Sequence, residues 1–314
     1  MTILQDRIKG AIYGLLIGDA VGVPYEFQSA DQIPSFELIN MTPPPHFDRT
    51  YPDIEIGTWS DDGAQALCLL ASLLENNRLD VNDLMNRFVS WYQQGYMAVD
   101  AKVFDIGVQT ATAIRLYQQG VPVMDVAADD EHANGNGALM RVLPLALWHQ
   151  GTEEELIQAA YLQSHVTHAH LRSKICCAIY CLWVKYIMQG MQINVGWDKA
   201  IDYLRKLYQP DTEKLHELEL FIRPEDFKDC RGSGYVVDSL KSACLALQEK
   251  DYRATIRRAI AFGNDTDTTA CIAGGIAGLY YGYQNLPKDW LNQLRVKQIV
   301  EPLIEMLIQH LESQ

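Results

Sequence analysis

The chain has 314 residues, with 26 Lys plus Arg against 40 Asp plus Glu and a formal net charge of -14. That balance argues against a nucleic-acid partner, because phosphate neutralisation needs a basic face. It also leaves carboxylates without basic partners, which are candidate ligands for hard cations. With 48% hydrophobic residues, 21 Gly and 12 Pro, the composition excludes a disordered or collagen-like chain and suffices for a well-buried core.

Met1 to Gly10 lacks a basic segment leading into an apolar one, so no secretory signal is expected. Ile8, Ile12, Leu15 and Leu16 then mark the apolar face of a first helix. Phe36–Ile39 is the one weak strand candidate. Met41 to Gly57, with Pro43, Pro44, Pro45 and Pro52, is expected as a long surface loop. Leu67, Leu70, Leu73 and Leu74 mark a second helix, and Leu84, Phe88, Trp91 and Tyr92 a third. Further stripes run through Ile106–Tyr117, Leu139–Trp148, Leu156–Leu162, Ile175–Ile187, Val236–Leu247, Ile256–Phe262 and Ile272–Tyr280, with an irregular stretch at Arg223 to Gly234. The longest apolar run, Ala270 to Tyr283, is too short and Gly-rich to span a bilayer. The seven Cys include no CxxC pair, so they are expected as reduced core residues. An all-α, cytoplasmic protein with one domain over residues 1–314 and no membrane contact is the expectation.

Two segments concentrate acidic and hydroxyl side chains. In Trp59-Ser60-Asp61-Asp62-Gly63, Ser60 is a natural N-cap, and Asp61 and Asp62 fall in the first helical turn. Capping and the helix dipole account for this pattern; it is equally a hard-oxygen cluster suited to Mg2+. Gly263-Asn264-Asp265-Thr266-Asp267-Thr268-Thr269 opens a helix in the same way. An EF-hand loop is excluded there, because Ala270 takes the obligatory Gly place and Ile276 the closing Glu place. A phosphatase-type nucleophile would follow a buried strand, whereas Ala254–Phe262 is helical in period. If the two acidic helix starts converge, their carboxylates repel unless cations lie between them.

Other residues have two readings each. Asp105 is either a cap on the helix of Ile106–Leu116 or a cleft carboxylate. Glu26 is by itself a charged loop residue after Pro24. Gly135-Asn136-Gly137-Ala138 is either an ordinary Gly-rich turn or a phosphate cradle at a helix start. The histidines of Ser164–His170 have no nearby carboxylate or Cys partner for zinc. Tyr235, after Gly232-Ser233-Gly234, stacks on a ligand or packs in the core.

Taken in order, these segments resemble a known family. Gly10 to Glu26 resembles G-x-x-x-G-x-x-x-G-D-A-x-G-x-P-x-E; Trp59–Asp62 resembles W-[ST]-D-D; Phe104-Asp105-Ile106-Gly107 resembles F-D-I-G; Gly135–Arg141 resembles N-G-[SA]-x-M-R; and Asp265–Thr268 resembles D-x-D-T. Thr167-His168 adds a weaker match. This order over nearly the whole chain resembles the ADP-ribosylglycohydrolase family, in its dinitrogenase reductase-activating glycohydrolase-like form.

The resemblance implies a single large orthogonal helical bundle with a central metal cleft. It implies two Mg2+ ions, or Mn2+ in their place, held by Ser60, Asp61, Asp62, Asp265, Asp267 and Thr268 and gripping the ribose hydroxyls. Asp105 would handle protons, with Glu26 as a catalytic or gating carboxylate and Asp61 counted with them. Asn136, Gly137, Ala138, His168, Gly234 and Tyr235 would contact the substrate. The implied activity is release of ADP-ribose from an ADP-ribosylated protein by a monomeric enzyme. The F-D-I-G match favours the bond to arginine. A serine or nucleic-acid base linkage, or a non-catalytic ADP-ribose-binding protein, is the alternative. Two departures stand out: Gly63 replaces the family's usual Thr or Ser, and Val108 a frequent Asn.

Overall fold

The computed structural model describes residues 1–313 and is 63% helical, with no strand among those residues. In chain order the helices are α1 (Ile3–Gly22), α2 (Asp61–Asn76), α3 (Val81–Gln94), α4 (Val108–Gln118), α5 (Leu143–Trp148), α6 (Glu153–His165) and α7 (Leu171–Met188). There follow α8 (Ile193–Tyr208), α9 (Thr212–His216), α10 (Val236–Ala246), α11 (Tyr252–Ala261), α12 (Thr266–Tyr281), α13 (Lys288–Gln293) and α14 (Val300–Glu312). No helix is long and apolar enough to cross a membrane. All seven cysteines are unpaired, and all but Cys230 are buried.

The packing of α1 on α12 sets up everything else. Gly10, Gly14, Gly18 and Gly22 recur every four residues and therefore line one face of α1. A Cβ on Gly10 would lie 2.3 Å from the Gly278 carbonyl oxygen, one on Gly14 2.3 Å from that of Gly274, and one on Gly18 2.1 Å from that of Ala270. The descending partner numbers make the pair antiparallel. Without side chains between them the two backbones touch, and α1 ends against the start of α12, where a Cβ on Gly22 would lie 2.3 Å from Asp267 Cα.

Around this pair the other helices bury apolar faces. In α3 that face is Leu84, Met85, Phe88 and Trp91; Asp80 caps the helix through the Asn82 and Asp83 N–H groups. α7 is buried on nearly every side and carries Cys176, Cys177 and Cys181 in the core.

The structure departs from the sequence expectations in three places. Phe36–Leu38 is a turn of 3-10 helix rather than a strand, and the Arg257 side chain donates to the Glu37 and Ile39 carbonyls that a strand partner would have used. The stripe Leu139–Trp148 is helical only from Leu143, because Gly137–Arg141 forms a separate turn. Helices α8 and α14 each bury an apolar face, yet neither begins with a capping side chain, and neither is picked out by the stripes above.

Candidate active site

Three chain segments meet at one point. Asp19, at the end of α1 and fully buried, accepts the Ser60 N–H at 2.9 Å and the Gly63 N–H at 2.8 Å, which docks the start of α2 on α1. Ser60 caps α2 by accepting the Asp62 N–H. Its hydroxyl donates to Asp62 Oδ2 at 3.1 Å, and the Thr268 hydroxyl of α12 donates to the same oxygen at 3.2 Å. Asn136 donates its amide to Asp265 Oδ2 at 2.9 Å and to Ser239 Oγ at 2.9 Å. The two acidic helix starts, distant in sequence, are adjacent in space. Gly63 has no room for a hydroxyl: a Cβ there would lie 2.8 Å from Leu16 Cδ2 and 2.9 Å from the Trp59 ring.

The cluster is electrostatically unbalanced. Asp61 is 4% exposed, and Asp62 and Asp267 are wholly buried. Burial first, and then like charges (Asp105 on Asp61, Asp19 on Asp62, Glu26 on Asp267), hold all three well above the ordinary carboxylate range. Glu26 is pushed up to about 11 by burial and by the charges of Asp105 and Asp265, and Asp19 to about 7, chiefly by burial. Asp105 is raised by burial and by Asp265. Glu26, Asp105 and Asp267 each bring an oxygen within 4.8 Å of the others. Glu26 Oε2, Asp62 Oδ1 and Asp267 Oδ2 are buried with no hydrogen-bond partner among the described residues. Buried orphan carboxylate oxygens in an all-oxygen donor set fit a hard divalent cation.

Asp105 does not cap a helix. α4 begins at Val108, with Gly107 in the cap position and no side-chain cap. Asp105 itself sits at φ 52°, a left-handed conformation unusual for a non-glycine residue.

Above the carboxylates opens a cavity of about 330 Å³, floored by Asp61, Asp265 and Thr268, walled by Gly135–Gly137, Met140 and His168, and rimmed by Phe27 and Val108. Val108 is 82% exposed on this lip. The Gly135 N–H is spent on Gln109 Oε1 at 2.8 Å and the Asn136 N–H on the Gly234 carbonyl at 3.1 Å. The Gly137 and Ala138 N–H groups have no acceptor among the described residues. The turn is therefore a cradle of its own and does not lead directly into α5. Gly234 and Tyr235 line an adjoining cavity with Gln109 and His132. The Tyr235 hydroxyl accepts from Arg172 at 3.1 Å, and Arg172 pairs with Glu217 at 2.8 Å.

A model of the family described as ADP-ribosylglycohydrolase matches residues 1–314. The chain belongs to the ADP-ribosylglycohydrolase family. It is 30% identical over 308 residues to the ADP-ribosylarginine hydrolase Tri1 of Serratia proteamaculans (strain 568), covering 96% of this chain and 79% of the relative. It is 27% identical over 299 residues to the ADP-ribosyl-(dinitrogen reductase) glycohydrolase of Rhodospirillum rubrum, covering 94% and 92%. A solved structure described as an ADP-ribosylglycohydrolase-related protein complex superposes with a TM-score of 0.76 at 28% identity, covering 99% of each chain.

Three polar residues around the cleft carry no role in the sequence reading. Asp19 and Arg141 lie inside the Gly10–Glu26 and Gly135–Arg141 motifs, which was the available signal. Gln65, whose amide donates to Asp61 Oδ2 at 3.2 Å, sits in no motif and gave none.

Proposed function

We propose that this protein cleaves the N-glycosidic bond between ADP-ribose and a protein arginine, dependent on divalent cations. The observation that carries the reading is the buried, all-oxygen carboxylate cluster with orphan oxygens at the floor of a cleft walled by the Gly135–Ala138 turn. Arginine as acceptor is supported by the names of the Serratia proteamaculans relative and of a second, 28% identical, from Pseudomonas putida (strain GB-1), both ADP-ribosylarginine hydrolases. One continuous core running from Ile8 to Leu307 supports treating the chain as one catalytic unit.

Ser60, Asp61, Asp62, Asp265, Asp267 and Thr268 would hold the cations, two Mg2+ or Mn2+. Cations bound there would orient the ribose hydroxyls and offset the negative charge of the surrounding carboxylates. The starts of α2 and α12 add the positive ends of their dipoles at the same place. The free Gly137 and Ala138 N–H groups and His168 hold the diphosphate, and Gly234 and Tyr235 bound the far end of the nucleotide. Asn136 holds Asp265 in place rather than spending its amide on substrate. Asp105, free of any capping duty, moves a proton at the leaving nitrogen, and Glu26 beside it, held in its protonated form by burial and acidic neighbours, gates the cleft.

Free ADP-ribose released from arginine-, serine- and base-linked substrates, with and without EDTA, tests the reading. EDTA-sensitive release from the arginine substrate is expected. Release that survives exhaustive chelation, or none from any of the three, overturns it.

A further inference from the structure

Arg141 closes the Gly135–Arg141 motif, is wholly buried, and makes no salt bridge among the described residues. Its guanidinium lies over the Phe88 ring, 4.6 Å from the centroid. A guanidinium only donates. Arg141 donates to Gln65 Oε1 at 3.0 Å, to Thr167 Oγ1 at 2.7 Å, and to Gln163 Oε1 at 3.3 Å and its carbonyl at 3.1 Å. We propose that Arg141 is a positioning residue that fixes hydrogen polarity on both sides of the cleft. Through Thr167 it holds His168 as the Nε2–H tautomer, a donor aimed at the diphosphate. Through Gln65 it aims an amide N–H at Asp61. The diphosphate part rests on the functional reading above.

The chemistry follows from counting protons. Because Arg141 donates to Thr167 Oγ1, the hydroxyl's own proton needs a different acceptor. His168 Nδ1, at 2.8 Å, is the one within reach. Nδ1 therefore accepts, and the ring proton resides on Nε2. The opposite tautomer would bury the Thr167 proton with no acceptor, which biases the equilibrium by roughly tenfold or more.

The backbone that carries the ring is fixed. The His168 backbone N–H donates to the Ser164 carbonyl at 2.7 Å, and the Ser164 hydroxyl donates back to the His168 carbonyl at 2.9 Å. Nε2 borders the cradle: a Cβ on either Gly135 or Gly137 would lie 3.3 Å from it. Burial, with Arg141 nearby, pushes the imidazole down to about 3, so the ring is neutral. The same logic orients Gln65. With Oε1 taken by Arg141, its NH2 group faces Asp61 Oδ2 at 3.2 Å. Gln163, oriented likewise, donates to the Ala138 carbonyl at 3.1 Å and ties the cradle to the same guanidinium.

Long-range 1H–15N spectra of protein labelled with 15N-histidine read the tautomer directly, with His168→Gln to assign the signal. The wild type is expected to show the Nε2–H pattern without ligand. Thr167→Val matches the shape of threonine but lacks the hydroxyl. It should shift His168 to a tautomer mixture and weaken free ADP-ribose binding about tenfold by calorimetry in Mg2+, while Thr167→Ser restores both. An Nδ1–H pattern in the wild type, or an unchanged pattern in Thr167→Val, overturns the relay. A wild type with the Nε2–H pattern that binds no ADP-ribose upholds the relay and overturns the functional reading instead.

Discussion

The Thr268 hydroxyl donates to Asp62 Oδ2 at 3.2 Å, joining the first turns of α12 and α2 across 206 residues of sequence. That oxygen also receives Ser60, whereas Asp62 Oδ1 and Asp267 Oδ2 receive nothing. The cation-free protein thus holds buried like charges together at a cost. Asp267→Asn removes one of them. It should raise the melting temperature in EDTA, because one buried like charge is gone. It should also lose the stabilisation that Mg2+ gives the wild type by mass action. Calorimetric melting with EDTA and with Mg2+ checks both halves; a variant less stable than wild type in EDTA counts against the repulsion.

Asp105→Asn separates proton transfer from cation holding. It keeps shape and hydrogen-bonding capacity but removes the titratable group. Turnover should fall by ~10²–10⁴-fold, with ADP-ribose affinity and bound metal nearly intact. Steady-state rates, metal content and a binding titration on this one variant are the measurements. Wild-type turnover would move the proton-handling role to Glu26.

The α1–α12 contact predicts a steep response to one added methyl. In Gly14→Ala the new Cβ would meet the Gly274 carbonyl oxygen at 2.3 Å, backbone that cannot swing aside. Overpacking of this kind costs about 1–3 kcal/mol or more. Because α12 carries Asp265 and Asp267, cation affinity should fall with it. Denaturant unfolding and Mg2+ titration test the link. Loss of stability with unchanged Mg2+ affinity would show that the helix pair and the site are not coupled.

Glu301 of α14 pins α1 by accepting the Tyr13 hydroxyl at 2.5 Å and Lys9 Nζ at 3.0 Å. Burial alone would raise its pKa, but the Tyr13 and Lys9 contacts outweigh it and the net direction is down. A carboxylate depressed on folding adds stability above its unfolded pKa and loses it as pH falls through the folded one. Glu301→Gln should therefore melt lower than wild type at pH 7. The loss should be less than about 1 kcal/mol, since the carboxylate side chain is 39% exposed. The two should converge below about pH 4. A constant gap across that range would rule out the ionic contribution.

Much was legible in the sequence because it is local. The apolar period gave an all-α chain, Ser60 could be read as the cap of α2, and the Pro-rich stretch as a loop, since each depends on residues a turn or two apart. The motifs placed Asp61, Asp62, Asp265 and Asp267 at helix starts. Capping alone accounted for them equally well, and no local pattern distinguishes a capped helix start from half of a cation site. The tertiary structure brings the two starts together. It packs α1 on α12 through glycine faces, so that Gly22 at the end of α1 meets Asp267 at the start of α12, and Asp19, one turn before Gly22, docks the start of α2 beside them. It also showed that Asp105 caps nothing, that Phe36–Leu38 turns rather than extends, and that Arg141 joins Gln65 to Thr167. Sequence determines which side chains each helix presents; only long-range packing decides which of them share a dry, low-dielectric pocket where their charges and protons must be reconciled.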